Sequence, residues 1–109
     1  LNDLMEESDY VLVAAPLTEQ TRGMISTEAL LKCKPSAVII NVGRGPIFDK
    51  EALVDALTNN TIKGTGLDVM TVDPLSKESP LWKQDNVLLS PHNMDITLTF
   101  MKENTEFFI

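Results

Sequence analysis

The sequence predicts an α/β fold, a parallel sheet with helices packed against it in a three-layer sandwich, and three observations lead there. Four short segments rich in aliphatic and β-branched residues recur: YVLVAA (10–15), AVIINV (37–42), GTGLDVM (64–70) and NVLLSP (86–91). The first two are continuous apolar runs, as expected of parallel strands covered on both faces. Helical segments separate the early strands, and that alternation implies right-handed crossovers within one sheet.

Each element has a local reason. LNDLMEES reads as the tail of an amphipathic helix, leading into the first strand. Ser26 is placed to cap a helix over TEALLKC, with Ile25 and Leu30 as a hydrophobic staple across its start, and Pro35 forces the stop at Lys34. Asp49 is the natural N-cap for KEALVDALTNN, in which Ala52, Leu53, Ala56 and Leu57 form one apolar face and Asn59-Asn60 closes the helix. A last helix is expected from about Asp95, with Ile96, Phe100 and Phe107 near one side. The order is helix end, β, α, β, α, β, loop, β, α, with no internal repeat and no low-complexity linker. The initial helix lacks a beginning and the final FFI lacks a cap, so both ends read as cuts.

Composition narrows the function. A chain of 109 residues, 43% hydrophobic, suits one small domain or part of a larger one. Nine basic against sixteen acidic residues give a net charge of -7, and no basic stripe offers a seat for nucleic acid. A single cysteine, Cys33, and a single histidine leave no internal disulfide and no His/Cys metal cluster, so no metal is expected. Cys33 reads as a small apolar residue near a helix end, Trp82 as a packing residue, and the five methionines as filler. No apolar run approaches the roughly 20 residues of a membrane-spanning helix, and no signal peptide is visible; a cytoplasmic setting is expected.

In sheets of this kind the ligand crevice lies beyond the carboxyl ends of the strands. Four clusters fall there: PLTEQT after the first strand, GRG (43–45) after the second, Asp68 and Asp73 at and beyond the third, and His92 after the fourth. The planar fork of Arg44 matches a carboxylate bidentately, and flanking glycines let a ligand approach; a pairing with an acidic neighbour across a turn is the alternative. His92 is the one side chain whose ordinary titration lies near neutrality, which suits a general acid or base, although a lone histidine is also often structural. Asp68 sits inside a strand pattern, where a carboxylate needs a donor from protein or ligand. Asp73, before Pro74, is an ordinary turn residue by itself. Together an anion clamp, a carboxylate and a titrating imidazole form a recognisable set.

The blocks SDYVLVAAPLTEQTRGMIS, KPSAVIINVGRGPIFDKEALVDAL, GTGLDVMTVDPL and SPLWKQDNVLLSPHN, in this order and spacing, resemble the D-isomer-specific 2-hydroxyacid dehydrogenases. The resemblance implies a Rossmann-like nucleotide-binding domain, of which residues 1–109 would be the latter half, without the glycine-rich first half and without the substrate domain. It implies NAD or NADP as cofactor, a small 2-hydroxy or 2-oxo acid as substrate, and a homodimer in the full-length protein. Residue by residue, Arg44 matches the arginine that holds the substrate carboxylate and carbonyl, His92 the proton donor and acceptor, Asp73 the acidic residue that orients the histidine, and Asp68 the aspartate that bonds the nicotinamide carboxamide. Val42 and Gly43, with Arg44, His92, Asn93 and Met94, would line the cofactor.

Three departures from the pattern are visible. The family usually has glutamate where this chain has Asp73, which shortens the reach by roughly 1.5 Å. NMD follows His92 in place of small residues. The G-x-G-x-x-G turn and its acidic partner are absent, so the chain alone is expected to bind NAD poorly and to be inactive. Two other readings stay open: a regulatory module like the C-terminal-binding protein corepressors, which resemble the same family, and a catalytically silent relative, for which Asp73 is the hint.

Overall fold

The computed structural model describes residues 1–72 and 74–93. Asp73, Met94 and the helix expected from Asp95 lie outside the described residues. The elements are α1 (Asn2–Glu7), β1 (Tyr10–Val13), α2 (Thr27–Lys32), β2 (Val38–Asn41), α3 (Lys50–Thr58), β3 (Gly64–Leu67) and β4 (Val87–Leu89). Short 3-10 turns cover Gly45–Ile47 and Pro80–Lys83. The four strands form one parallel sheet in the order β1-β2-β3-β4.

The helix ends are where local chemistry puts them. Ser26 accepts a hydrogen bond from the Ala29 amide at 3.4 Å, and Ile25 and Leu30 are both buried, so cap and staple act together. The Asp49 carboxylate accepts from the amides of Glu51 and Ala52, each at 3.1 Å. At the far end of α3, Asn60 adopts a left-handed conformation with φ 56. The Thr61 amide reaches back to the Ala56 carbonyl and the Asn60 amide to that of Leu57, a Schellman closure that satisfies otherwise orphaned carbonyls.

The register sorts the sheet into two faces. Val11, Ile39, Thr65 and Val87 form one cross-strand row and Val13, Asn41, Leu67 and Leu89 the next. These rows face the helices, and with Met5, Leu30, Leu53, Leu57 and Ile62 they build the core. The opposite row, Leu12, Ile40, Gly66 and Leu88, leaves Leu12 65% and Leu88 76% exposed. The continuous apolar runs fit strands intended for cover on both faces, and the described residues cover one of them.

The strands are shorter than the apolar runs. β2 and β3 end at Asn41 and Leu67, and one further backbone bond follows each, from the Val42 amide to Val13 and from the Asp68 amide to Asn41. Trp82, expected as a packing residue, is 56% exposed; its indole N–H donates to the Ser76 carbonyl at 2.8 Å, which fixes the ring at the surface.

Candidate active site at the carboxyl edge of the sheet

β2 delivers the GRG turn, and the structure gives its glycines a reason of their own. Neither has a positive φ; among the glycines only Gly23 does. A Cβ on Gly43 would stand 2.8 Å from the Ala15 carbonyl oxygen. A Cβ on Gly45 would stand 2.0 Å from the Met70 carbonyl carbon. The turn is thus wedged between the backbones that follow β1 and β3, a close approach that leaves no room for a side chain at either glycine.

Arg44 is exposed, its backbone extended, and its Nη1 donates to the Gly43 carbonyl at 2.8 Å. The ion pairs among the described residues are Lys32–Glu6 and Lys34–Asp9, so the acidic neighbour proposed as an alternative partner for Arg44 is not found there. Beneath the turn lies Asn41, 1% exposed. Its Oδ1 accepts from the Gly43 amide and its Nδ2 donates to the Arg44 carbonyl, both at 3.0 Å.

β3 ends in Asp68, which is 3% exposed. Its backbone amide donates to the Asn41 carbonyl at 3.0 Å, extending the β2–β3 ladder by one bond. Its Oδ1 accepts from the Ser90 hydroxyl at 2.6 Å and from the Asn93 amide at 2.9 Å. Protein therefore supplies donors that a carboxylate in this position requires. These bonds tie the turn after β4 to the end of β3.

His92 occupies that turn, exposed, with φ 58. Positive φ is uncommon outside glycine and persists where the surroundings enforce it, often at functional sites. The next residue, Asn93, is held by its amide bond to Asp68. A shallow apolar groove lined by Met70, Pro74, Leu75, Trp82, Leu89, Ser90 and Pro91 runs beside this turn.

Arg44, Asp68, His92 and Asn93 thus share one edge of the sheet, with the Arg44 turn and the His92 turn both anchored to the end of β3. β2 and β4 flank β3, so the ends of these two strands are roughly 10 Å apart at the usual strand spacing. Val42 continues the β1–β2 ladder through its amide to Val13. Asp73 and Met94 lie outside the described residues. Sequence reasoning missed Asn41, Ser90 and the left-handed His92; the signal for Asn41 was an amide closing an otherwise apolar strand.

Residues 1–93 match the D-isomer specific 2-hydroxyacid dehydrogenase, NAD binding domain family. A glyoxylate/hydroxypyruvate reductase B from Enterobacter agglomerans is 49% identical over 92 residues, which are 84% of this chain and 28% of that protein. Among solved structures, a D-isomer specific 2-hydroxyacid dehydrogenase from Xanthobacter autotrophicus Py2, in complex with NADPH and MES, superposes with a TM-score of 0.86 at 40% identity. It covers 97% of this chain and 36% of its own. The NAD-complexed enzyme of the same description from Lactobacillus delbrueckii ssp. bulgaricus gives a TM-score of 0.83 at 29% identity, covering 97% of this chain and 36% of its own. The chain thus spans about a third or less of the proteins it matches. With a family match over residues 1–93 and a four-stranded parallel sheet that superposes on two such enzymes, this chain belongs to the NAD-binding domain family of the D-isomer specific 2-hydroxyacid dehydrogenases.

Proposed function

We propose that these residues form the latter half of the nucleotide-binding domain of a longer NAD(P)-dependent dehydrogenase that interconverts a small D-2-hydroxy acid and its 2-oxo acid. The names of its relatives make glyoxylate or hydroxypyruvate the first substrates to try. The observation that carries the reading is the common anchor. The turn carrying Arg44 packs through Gly45 against Met70, just beyond β3, and the turn carrying His92 is bonded through Asn93 to Asp68, which supports reading a cation fork and a proton-transfer group at one edge.

The residues fit the nicotinamide end of the cofactor and not its pyrophosphate. The sequence contains no G-x-G-x-x-G turn to cradle the phosphates. At the other end, Asp68 presents a buried carboxylate, and a carboxylate accepts several hydrogen bonds at once, so the group that fixes the loop can also receive a carboxamide N–H. Val42, Gly43, Asn93 and Met94 would line the same end. When bound, a reduced nicotinamide supplies hydride to C2 of the oxo acid.

This chain's own residues do the rest. Arg44 grips the carboxylate with two N–H groups, orients the acid and polarises its carbonyl. His92 gives a proton to the forming alkoxide oxygen and, in the reverse direction, takes it from the hydroxyl. Asp73 is assigned to orient the imidazole. A homodimer and a cytoplasmic setting belong to the same reading; among the described residues no helix is long and apolar enough to cross a membrane.

The test is steady-state kinetics of the full-length protein with glyoxylate and hydroxypyruvate. His92→Ala is expected to lower kcat by about 10²- to 10⁴-fold, the usual worth of a positioned proton-transfer group. Arg44→Ala is expected to raise KM for the oxo acid as well as to lower kcat. Wild-type kcat/KM in either variant would overturn the reading.

A further inference from the structure

We infer that Asn41 is a positioning residue for Arg44, holding the turn from which the guanidinium reaches its anion; this rests on the carboxylate-binding role given to Arg44 above. Asn41 is 1% exposed and occupies the cross-strand row of Val13 and Leu67, where the neighbouring side chains are aliphatic. An amide in such a row costs free energy unless its donor and acceptor are both satisfied. Its side chain is satisfied by the GRG turn: Oδ1 holds the Gly43 amide and Nδ2 holds the Arg44 carbonyl, each at 3.0 Å.

The guanidinium closes the network. Arg44 Nη1 donates to the Gly43 carbonyl at 2.8 Å, so the amide side chain, the peptide groups around Gly43 and Arg44, and the guanidinium form one connected set. A residue chosen to fill the core would have no reason to fasten both sides of this turn. One amide side chain holds the Val42–Gly43 peptide through the Gly43 N–H and the Arg44–Gly45 peptide through the Arg44 carbonyl, so the backbone is fixed on both sides of Arg44 and with it the direction from which the side chain departs. The wedging of Gly43 and Gly45 against Ala15 and Met70 limits where the turn lies, and Asn41 sets its orientation.

The test is a double-mutant cycle in the full-length protein with saturating cofactor and glyoxylate as the varied substrate, using Asn41→Ala, Arg44→Ala and the double variant. Misplacing a substrate clamp by about 1 Å costs on the order of 100-fold, and that loss of kcat/KM is expected for Asn41→Ala. In the Arg44→Ala background the same change is expected to cost less than about threefold, because the group it positions is gone. Asn41→Asp keeps an acceptor for the Gly43 amide and removes the donor to the Arg44 carbonyl; it is expected to show the same non-additivity if the alanine variant fails to fold. Equal losses in both backgrounds, unchanged kcat/KM in the Asn41 variants, or failure of both to fold would assign Asn41 to the core and overturn the inference. Unchanged kcat/KM in Arg44→Ala would instead overturn the reading of the site itself.

Discussion

Gly45 is where the residue scale decides most. Any side chain there would overlap the Met70–Thr71 peptide, with the first added carbon 2.0 Å from the Met70 carbonyl carbon, and backbone has no rotamer with which to yield. Gly45→Ala is therefore expected to lower the free energy of unfolding by about 1–3 kcal/mol, the range for overpacked cores, measured by urea denaturation of the 109-residue chain. Wild-type stability would show that the turn does not sit against the segment after β3. The role of these glycines was not legible in the sequence. GRG announces a close approach, but that Ala15 and Met70 are what approach depends on contacts between distant parts of the chain. The same holds for the turn at His92, whose next residue, Asn93, bonds to Asp68, far back in the sequence.

Helices and strands were more legible because their causes are local. Ser26 and Asp49 cap helices through bonds spanning two or three residues, a distance over which sequence and structure say the same thing. Asp49→Ala removes two acceptor contacts at the start of α3 and is expected to cost about 1 kcal/mol, read as a lower urea midpoint with an unchanged slope; no shift in midpoint would mean that tertiary packing alone holds the helix. Cys33, at the end of α2, is 8% exposed with Sγ 3.7 Å from the Ala29 carbonyl oxygen. Burial raises its pKa above the ordinary 9.0 by disfavouring the thiolate. The apolar reading of this residue stands. The strands are shorter than the apolar runs that contain them, as β1 ends at Val13 within YVLVAA and β4 at Leu89 within NVLLSP.

At the scale of the whole molecule, the parallel sheet follows from the alternation of strands and helices, while the strand order β1-β2-β3-β4 is read from the structure. The cross-strand contacts that assemble the site do not follow from that alternation. Asp68 illustrates the difference: its position inside a strand pattern required donors, and the structure supplies them from Ser90 and Asn93, residues more than twenty positions on. Tyr10, Leu12 and Leu88, on the sheet face away from the core, form an exposed apolar surface of the kind that marks contact with further structure. Its presence agrees with a chain that spans 28% of a relative's length.

The central claim is that Arg44 and His92 act on one small acid at the carboxyl edge of the sheet. A crystal structure of the full-length protein with NAD or NADP and oxamate, an unreactive analogue of a 2-oxo acid, tests it most directly. The account predicts both guanidinium N–H groups of Arg44 on the oxamate carboxylate and a ring nitrogen of His92 within hydrogen-bond reach of its carbonyl oxygen. Oxamate bound with neither side chain in contact, or touching Arg44 while His92 points away from it, would contradict the account.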